Sequence, residues 1–154
     1  MDISADELAG IVDLFDALSR AELGRACAEL AFKRGEDTDP AAYDDVIDAA
    51  VESYHLVGVD ADEAEAEVLV VGPTAFPTLP DGAGDLPHIM DVPDRDLSRD
   101  RVVEAVERQF RADAAAAIDT GDEDRIADLL DVSYDLDAWG AVDLGAARDR
   151  LDSA

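Results

Sequence analysis

The chain has 154 residues, of which 48% are hydrophobic, and this length and composition suit a single globular body with a buried core. Its formal net charge is −27, from 28 Asp and 11 Glu against 11 Arg and one Lys. Apolar residues recur at helical spacing, which argues against disorder. An acidic start, short apolar runs and one cysteine argue against a secretory signal, a membrane helix and an internal disulfide. We therefore expect a folded cytoplasmic protein that does not contact a membrane.

The first 54 residues predict three short helices in succession. Ser4 with Glu7, and Ser19 with Glu22, have the three-residue spacing of capping boxes and open helices one and two. An Asp-Pro pair at 39–40 starts helix three. The apolar faces are, in order, Leu8, Ile11, Val12, Phe15 and Leu18; Leu23, Ala26, Cys27 and Leu30; and Tyr43, Val46, Ile47, Ala50 and Tyr54.

Two stretches rich in β-branched residues, 54–59 and 67–73, follow and predict a β-hairpin. Three helices and a hairpin have the order of a winged-helix domain. We therefore predict a mainly α (α+β) fold with a winged-helix-like domain over residues 1–80. The acidic turn, 60–66, is not predicted to bind calcium, because an EF-hand loop counted from Asp60 needs Gly where Glu65 stands and Glu where Val71 stands. Its acids are interpreted as a solvated hairpin tip that protects the sheet edge.

Five prolines between positions 73 and 93 predict that residues 74–96 lack regular structure, and we assign 81–97 to a Pro/Gly-rich linker or packed loop. A C-terminal helical segment, 98–154, follows it. Gly121 ends the first of its helices, Asp122 caps a shorter one, and a last helix is predicted near 144–151. The segment 98–154 contains few apolar residues, so we expect it to pack on the first domain or on a second subunit. The first of these helices has the apolar face Val103, Val106, Phe110, Ala114 and Ala117.

The acidic composition favours a concentrated-salt setting, because at 1 M salt the Debye length is only about 3 Å and like charges no longer repel over long distances. The chain uses Asp in preference to Glu and Arg in preference to Lys. With the stretch "DELAGIVDLFDALSRAELGRACAELAFKRGE", residues 6–36, it resembles an uncharacterised haloarchaeal family of small acidic proteins. The resemblance implies a cellular setting and carries no activity, cofactor or catalytic residue.

Candidate catalytic groups are few. His55 is interpreted as a structural residue at the start of a strand, and Cys27 as an inert thiol on an apolar helix face. His88, with Asp85 and Asp91 nearby, is the better candidate for a metal ligand or an acid-base pair, and supports an enzyme or metal-binding protein as the third hypothesis. The "DGAGD" stretch, 81–85, matches no phosphate-binding loop. We predict no catalytic, cofactor-binding or metal-binding residues and no enzymatic activity.

Nucleic-acid binding is the main alternative, because a winged helix commonly places its third helix in the major groove. Here the outward face of helix three carries Asp45, Asp48 and Glu52 and no Arg or Lys. High salt further weakens contacts with phosphates. The basic side chains of the first 80 residues, which are spread around helix two, are Arg20, Arg25, Lys33 and Arg34.

The preferred prediction is a non-catalytic accessory or regulatory protein that is adapted to high salt and binds another protein. A winged-helix DNA-binding transcriptional regulator is the alternative function. A second copy of the chain, in a homodimer, is an alternative protein partner. The predicted contact surface is "GPTAFPTLP", residues 72–80, with Phe76, Pro77 and Leu79 as contact residues and Phe76 as the anchor. In the competing interpretation, Phe76 packs into the protein's own core.

Overall fold

The chain forms a mainly α structure with a small β-sheet. A computed structural model describes residues 1–60, 67–95, 97–139 and 144–153. Their contacts divide the chain into two compact units, Met1–Leu97 (unit 1) and Ser98–Ala154 (unit 2). In the described residues, no helix is long and apolar enough to cross a membrane.

Three helices form most of unit 1: α1 (Ala5–Phe15), α2 (Arg20–Lys33) and α3 (Asp44–Glu52). Both predicted capping boxes are present, with the Glu7 N–H 3.1 Å from Ser4 Oγ and the Glu22 N–H 3.1 Å from Ser19 Oγ. Each hydroxyl satisfies an N–H that has no partner within its helix, which fixes where α1 and α2 begin.

The start of helix three differs from the prediction. Asp39 accepts a hydrogen bond from the Ala41 N–H, but the helix it opens is a 3₁₀ turn, Pro40–Tyr43, which continues into α3. Tight turns of this kind are frequent at the ends of α-helices. The predicted apolar faces also extend too far: Leu18 lies beyond the end of α1 and Tyr54 lies beyond the end of α3, although both side chains are buried.

The sheet of unit 1 has three antiparallel strands, β1 (Leu18–Ser19), β2 (Leu56–Val59) and β3 (Val68–Val71), in the order β1-β3-β2. The predicted hairpin is confirmed, with Val57 opposite Val70. Strand β1 was not predicted, because two residues are too few to show an alternating pattern. The elements follow the predicted order of three helices and a hairpin, with β1 added between α1 and α2. Of the acidic turn, residues 61–66 lie outside the described residues.

The core of unit 1 lies where the three helices meet the sheet. Burial of this apolar surface supplies the main stabilisation, at about 25 cal/mol per Å² removed from water. The buried cluster comprises Leu8, Ala9, Ile11, Val12, Leu18, Leu23, Ala26, Cys27, Leu30, Tyr43, Ile47, Ala50, Leu56, Leu69, Ala83, Leu86 and Met90.

The proline-rich stretch is more regular than predicted. A 3₁₀ turn, Ala83–Asp85, leads into a one-turn helix, α4 (Leu86–Ile89). Pro87 is tolerated there because proline has no N–H group, and the N–H groups in the first turn of a helix have no partner within the helix. Since Ala83, Leu86 and Met90 belong to the core cluster, this stretch is packed against the rest of unit 1.

Unit 2 consists of α5 (Arg99–Thr120), α6 (Glu123–Trp139) and α7 (Gly145–Asp152). Gly121 ends α5 in a left-handed conformation, as predicted, and Asp122 Oδ1 accepts from the Arg125 N–H at 3.1 Å, which caps α6. Its core is small, and the Arg99 guanidinium lies 3.9 Å from the centre of the Trp139 ring. The buried residues of unit 2 are Val106, Phe110, Ala114, Ala117, Leu129, Ser133, Leu136, Leu144, Ala147 and Leu151.

Candidate protein-interaction surface

Residues 72–80, called the 72–80 segment below, leave β3 and are tied first to the end of α3. The Gly72 N–H donates to the His55 carbonyl at 2.8 Å, and the Thr74 hydroxyl donates to the Ser53 carbonyl at 2.8 Å. Gly72 is required here, because a Cβ at this position would lie 2.1 Å from the Tyr54 carbonyl oxygen. The segment therefore starts from a fixed point.

The segment then lies against α1. Asp6 receives two main-chain hydrogen bonds, from the Phe76 N–H to Oδ1 at 3.0 Å and from the Thr78 N–H to its carbonyl at 3.0 Å. Gly10 permits the close approach, since a Cβ there would lie only 2.1 Å from the Thr78 carbonyl oxygen. The backbone around Phe76 is thus held by contacts with α1.

From Phe76 to Leu79 the side chains of this fixed backbone face solvent. Phe76 is 80% exposed and Leu79 is 49% exposed, and Pro77 is also exposed. The three predicted contact residues therefore lie together on one short exposed stretch. The competing interpretation, in which Phe76 fills the core, does not agree with an exposure of 80%.

The segment belongs to the longest uncharged run in the chain. Thirteen consecutive residues, 68–80, carry no charged side chain, although 33% of the protein is charged. Charged groups cost free energy when an interface removes their water, and this run has none to desolvate. The run was visible in the sequence, and it marks the segment more clearly than the single aromatic ring does.

The exposed face of α3 has the opposite chemistry. Asp44, Asp45, Asp48 and Glu52 are all exposed, and Asp48 forms an ion pair with Arg20 at 2.8 Å. DNA phosphates would meet carboxylates on this face, where a reading helix needs donors for phosphates and base edges.

Most basic side chains of unit 1 have partners within the unit. Lys33 lies 3.3 Å from Asp85 Oδ2, Arg34 donates to the Asp81 carbonyl at 3.1 Å, and Arg95 pairs with Glu22 at 2.7 Å. Arg95 and Glu22 are 7% and 14% exposed. In the described part of unit 1, these basic side chains do not form a continuous positively charged surface that a nucleic-acid backbone would follow.

The environment of Glu22 keeps this acid ionised. Burial favours its uncharged form, but hydrogen bonds from the Arg95 guanidinium and from the Ser19 N–H outweigh that effect. The pKa of Glu22 consequently lies below its ordinary value. The pair connects α2 to the stretch after α4 and has a structural role.

A groove of about 650 Å³ lies between the first half of α2 and the Pro40–Tyr43 turn. Arg20 and Arg25 line it together with Asp39 and Asp44, so its rim carries charges of both signs. Its floor is close-packed, because a Cβ on Gly24 would lie 2.8 Å from the Pro40 carbonyl oxygen. Sequence reasoning did not predict this groove, since its walls meet only in the folded chain.

A Ser–His–Asp set occurs at the end of α3. His55 Nδ1 lies 2.7 Å from Ser53 Oγ, and His55 Nε2 lies 3.5 Å from Asp6 Oδ1. Ser53 Oγ also lies 2.9 Å from the Ala49 carbonyl, the position of a hydroxyl that bonds back to its own helix. The hydroxyl is therefore shared with the helix backbone, and the set serves to hold α3, α1 and the 72–80 segment together.

The other candidate chemical groups are isolated. His88 is exposed on α4, and the described residues contain no cluster of three or more His, Cys, Asp or Glu side chains arranged to hold a metal ion. Cys27 is buried, and burial raises the pKa of its thiol to about 12. A thiol with so high a pKa is a poor nucleophile near neutral pH.

Comparisons with known proteins give one match. A family model described as a family of unknown function (DUF7109) matches residues 6–154, which is nearly the whole chain, and places the chain in that family. This agrees with the resemblance to an uncharacterised family, whereas a haloarchaeal origin stays a prediction. No curated protein and no solved structure matches the chain.

Proposed function

We propose that this chain, which belongs to the DUF7109 family, is a non-catalytic accessory or regulatory protein that binds another protein through the 72–80 segment. The observation that carries the proposal is the Phe76 ring, which is 80% exposed on a backbone held by Asp6. Large aromatic side chains are typical anchors of protein interfaces. Phe76, Pro77 and Leu79 are consecutive or near neighbours on this exposed stretch, and contiguous exposed apolar surface is typical of a site that binds a partner.

Pre-organisation supports this proposal. A flexible loop must be ordered when it binds, at a cost in conformational entropy that reduces affinity. The main-chain bonds to Asp6 and the close approach at Gly10 order the Phe76 backbone in the free protein. A partner would therefore meet a surface that is already in place.

The absence of charge from residues 68–80 supports a protein partner that offers an apolar pocket. At high salt, apolar contacts keep their strength while contacts between exposed charges are screened. We place the protein in a concentrated-salt cytoplasm, where a −27 chain could still associate through an uncharged surface.

A DNA-binding transcriptional regulator is the alternative, and the winged-helix order of unit 1 favours it. The four exposed acids of the α3 region oppose it, because phosphate contacts supply most of the affinity of DNA-binding proteins.

The test compares two exposed phenylalanines in capture experiments at about 2 M KCl, a salt concentration that screens exposed charges. Phe76→Ala removes the proposed anchor, and Phe32→Ala, at a ring that is 71% exposed on α2, is the matched control. Wild type and Phe32→Ala should retain the same protein, and Phe76→Ala should lose about 2 kcal/mol of affinity for it, roughly 30-fold.

Melting temperatures of all three proteins show whether the fold is intact. Equal capture by Phe76→Ala and wild type would contradict the proposal. Retention of a specific duplex DNA by wild type at this salt concentration would favour the alternative.

A further inference from the structure

We infer that His55 acts as a proton-dependent latch on the 72–80 segment and holds the Phe76 backbone more firmly when the imidazole is protonated. The inference rests on the proposed function for its biological meaning, since Phe76 is the proposed anchor. The latch itself is a property of four contacts within unit 1.

The geometry brings the ring and the segment to a single oxygen atom. Asp6 Oδ1 lies 3.5 Å from His55 Nε2 and accepts the hydrogen bond from the Phe76 N–H at 3.0 Å. On the other side of the ring, His55 Nδ1 lies 2.7 Å from Ser53 Oγ. A change at Nε2 therefore acts on the same oxygen that accepts the hydrogen bond from the Phe76 N–H.

The position of His55 follows from the way α3 ends. Tyr54 has a left-handed φ of 65°, and the His55 N–H bonds back to the Ala50 carbonyl at 2.9 Å. This closing turn puts His55 beside α1 and beside the start of the 72–80 segment, where the Gly72 N–H reaches the His55 carbonyl.

Proton counting shows why the two charge states differ. The Ser53 hydroxyl has one proton and three acceptors within reach, His55 Nδ1 and the carbonyls of Ala49 and Ala50. If the neutral ring carries its proton on Nδ1, the hydroxyl bonds to Ala49 and the bare Nε2 faces the Asp6 carboxylate. If it carries the proton on Nε2, the hydroxyl turns to Nδ1 and gives up Ala49.

The imidazolium removes this conflict. Both ring nitrogens then carry protons: Nδ1 donates to the Ser53 hydroxyl, which keeps its bond to Ala49, and Nε2 forms an ion pair with Asp6 Oδ1 at 3.5 Å. The Nε2 contact becomes charge-assisted, which strengthens it and fixes the Asp6 carboxylate in place beneath the Phe76 N–H.

Among the described residues, Asp6 on α1 is a charged group in contact with the ring. Glu52, on the last turn of α3, precedes His55 by three residues, and the buried Tyr54 hydroxyl is the other titratable neighbour along the chain. The 72–80 segment contributes no charge. The His55 and Asp6 side chains are 25% and 38% exposed, so the ring can exchange protons with solvent and the effect should be modest.

The experiment uses the ¹⁵N-labelled full chain in 2 M KCl between pH 5 and 8, the interval in which imidazole side chains ordinarily change charge. The His55 ring proton signals and the Phe76 amide signal are followed together. We expect the two sets of signals to change together. The hydrogen-exchange protection of the Phe76 amide, corrected for the intrinsic pH dependence of exchange, should be about twofold to fivefold higher in the protonated state, as for a partly exposed ion pair.

Two histidine variants give the controls. His55→Gln keeps a polar side chain that does not titrate and should abolish the pH response of the Phe76 amide. His88→Gln, at the exposed histidine on α4, should leave it unchanged. Melting temperatures verify that both variants fold.

The inference is wrong if the Phe76 amide stays constant while the His55 ring titrates, or if His55→Gln retains the response. Either result leaves the proposed function standing, because the loss of capture by Phe76→Ala is measured at a single pH. Conversely, a titrating amide with undiminished capture by Phe76→Ala would establish the latch and refute the proposed function.

Discussion

The 72–80 segment and α3 both face solvent from unit 1, but they are held in place in opposite ways. Helix α3 is fixed by side chains, since Ile47 and Ala50 are fully buried and its acids point outward. The segment is fixed by its main chain, through Asp6 and the close approach at Gly10, and it exposes Phe76. The comparison shows that a surface can be ordered without burying its largest apolar side chain, which leaves that side chain free for a partner.

The largest expected effect is the difference in the free energy of unfolding between Ile47→Ala and Phe76→Ala. Ile47 is 0% exposed, so its truncation should lower the free energy of unfolding by about 3 kcal/mol through lost burial and a cavity. Truncation of Phe76, at 80% exposure, should change it by no more than about 0.5 kcal/mol. Denaturant unfolding at high salt measures both. A cost of several kcal/mol for Phe76→Ala would mean that the ring is a core residue.

The second prediction tests the main-chain support of the segment. Gly10→Ala should cost roughly 2 kcal/mol of stability, because its new Cβ meets the Thr78 carbonyl oxygen at 2.1 Å, although alanine is otherwise the better helix former. Gly84→Ala, where a Cβ meets nothing within 4 Å, is the matched control and should change stability by at most about 0.5 kcal/mol. Equal stabilities of the two variants would show that the segment is not packed on α1 as described.

The contacts that hold the 72–80 segment and α3 in place differ in how far the sequence predicts them. Helix starts follow local rules, so the capping boxes at Ser4 and Ser19 are correct, and the alternation of apolar residues gives the hairpin. By contrast, the bond between Asp6 and Phe76 joins residues 70 positions apart and has no local signature. The left-handed Tyr54 is similarly hidden, because non-glycine residues rarely adopt a positive φ.

Contacts between residues far apart in the sequence also explain the other differences between the predicted and the observed structure. Strand β1 has two residues and exists only because β3 offers it hydrogen-bonding partners. The prolines of the 74–96 stretch suggested an irregular chain, but Pro87 stands in the first turn of α4, where proline is compatible with a helix. The sequence left the exposure of Phe76 open, because the uncharged run 68–80 also contains the buried strand β3, and it gave no sign of the contacts that fix the Phe76 backbone.

The third prediction contrasts a partly buried acid, Glu22, with the exposed acids of α3. Because its folded pKa is depressed, Glu22 stabilises the protein above the unfolded pKa of about 4.3, and this contribution is lost as the pH falls through the folded value. Glu22→Gln keeps a side chain that can complete the capping box but removes the charge that faces Arg95. It should cost about 1.5 kcal/mol at pH 7, in the range of hydrogen bonds to charged groups.

The pH dependence separates this effect from a general loss of packing. The difference in unfolding free energy between wild type and Glu22→Gln should shrink on going from pH 7 to pH 3, because wild-type Glu22 then becomes protonated. A difference that is constant over this range would mean that the charge of Glu22 does not contribute.

The smallest expected effect concerns the acids of α3. Changing Asp45 to Asn should change stability by less than about 1 kcal/mol at 0.1 M KCl, because the carboxylate is exposed, and should have almost no effect at 2 M KCl, where interactions between exposed charges are screened. Asp48 is left unchanged because it pairs with Arg20. Melting temperatures at the two salt concentrations measure the difference. If α3 does not contact DNA, neither the wild type nor the variant should bind duplex DNA at high salt, and capture of the protein partner should be the same for both. A gain of DNA binding by the variant would show that α3 lies against DNA with its carboxylates opposing the phosphates, and the distinction drawn between the two surfaces would then fail.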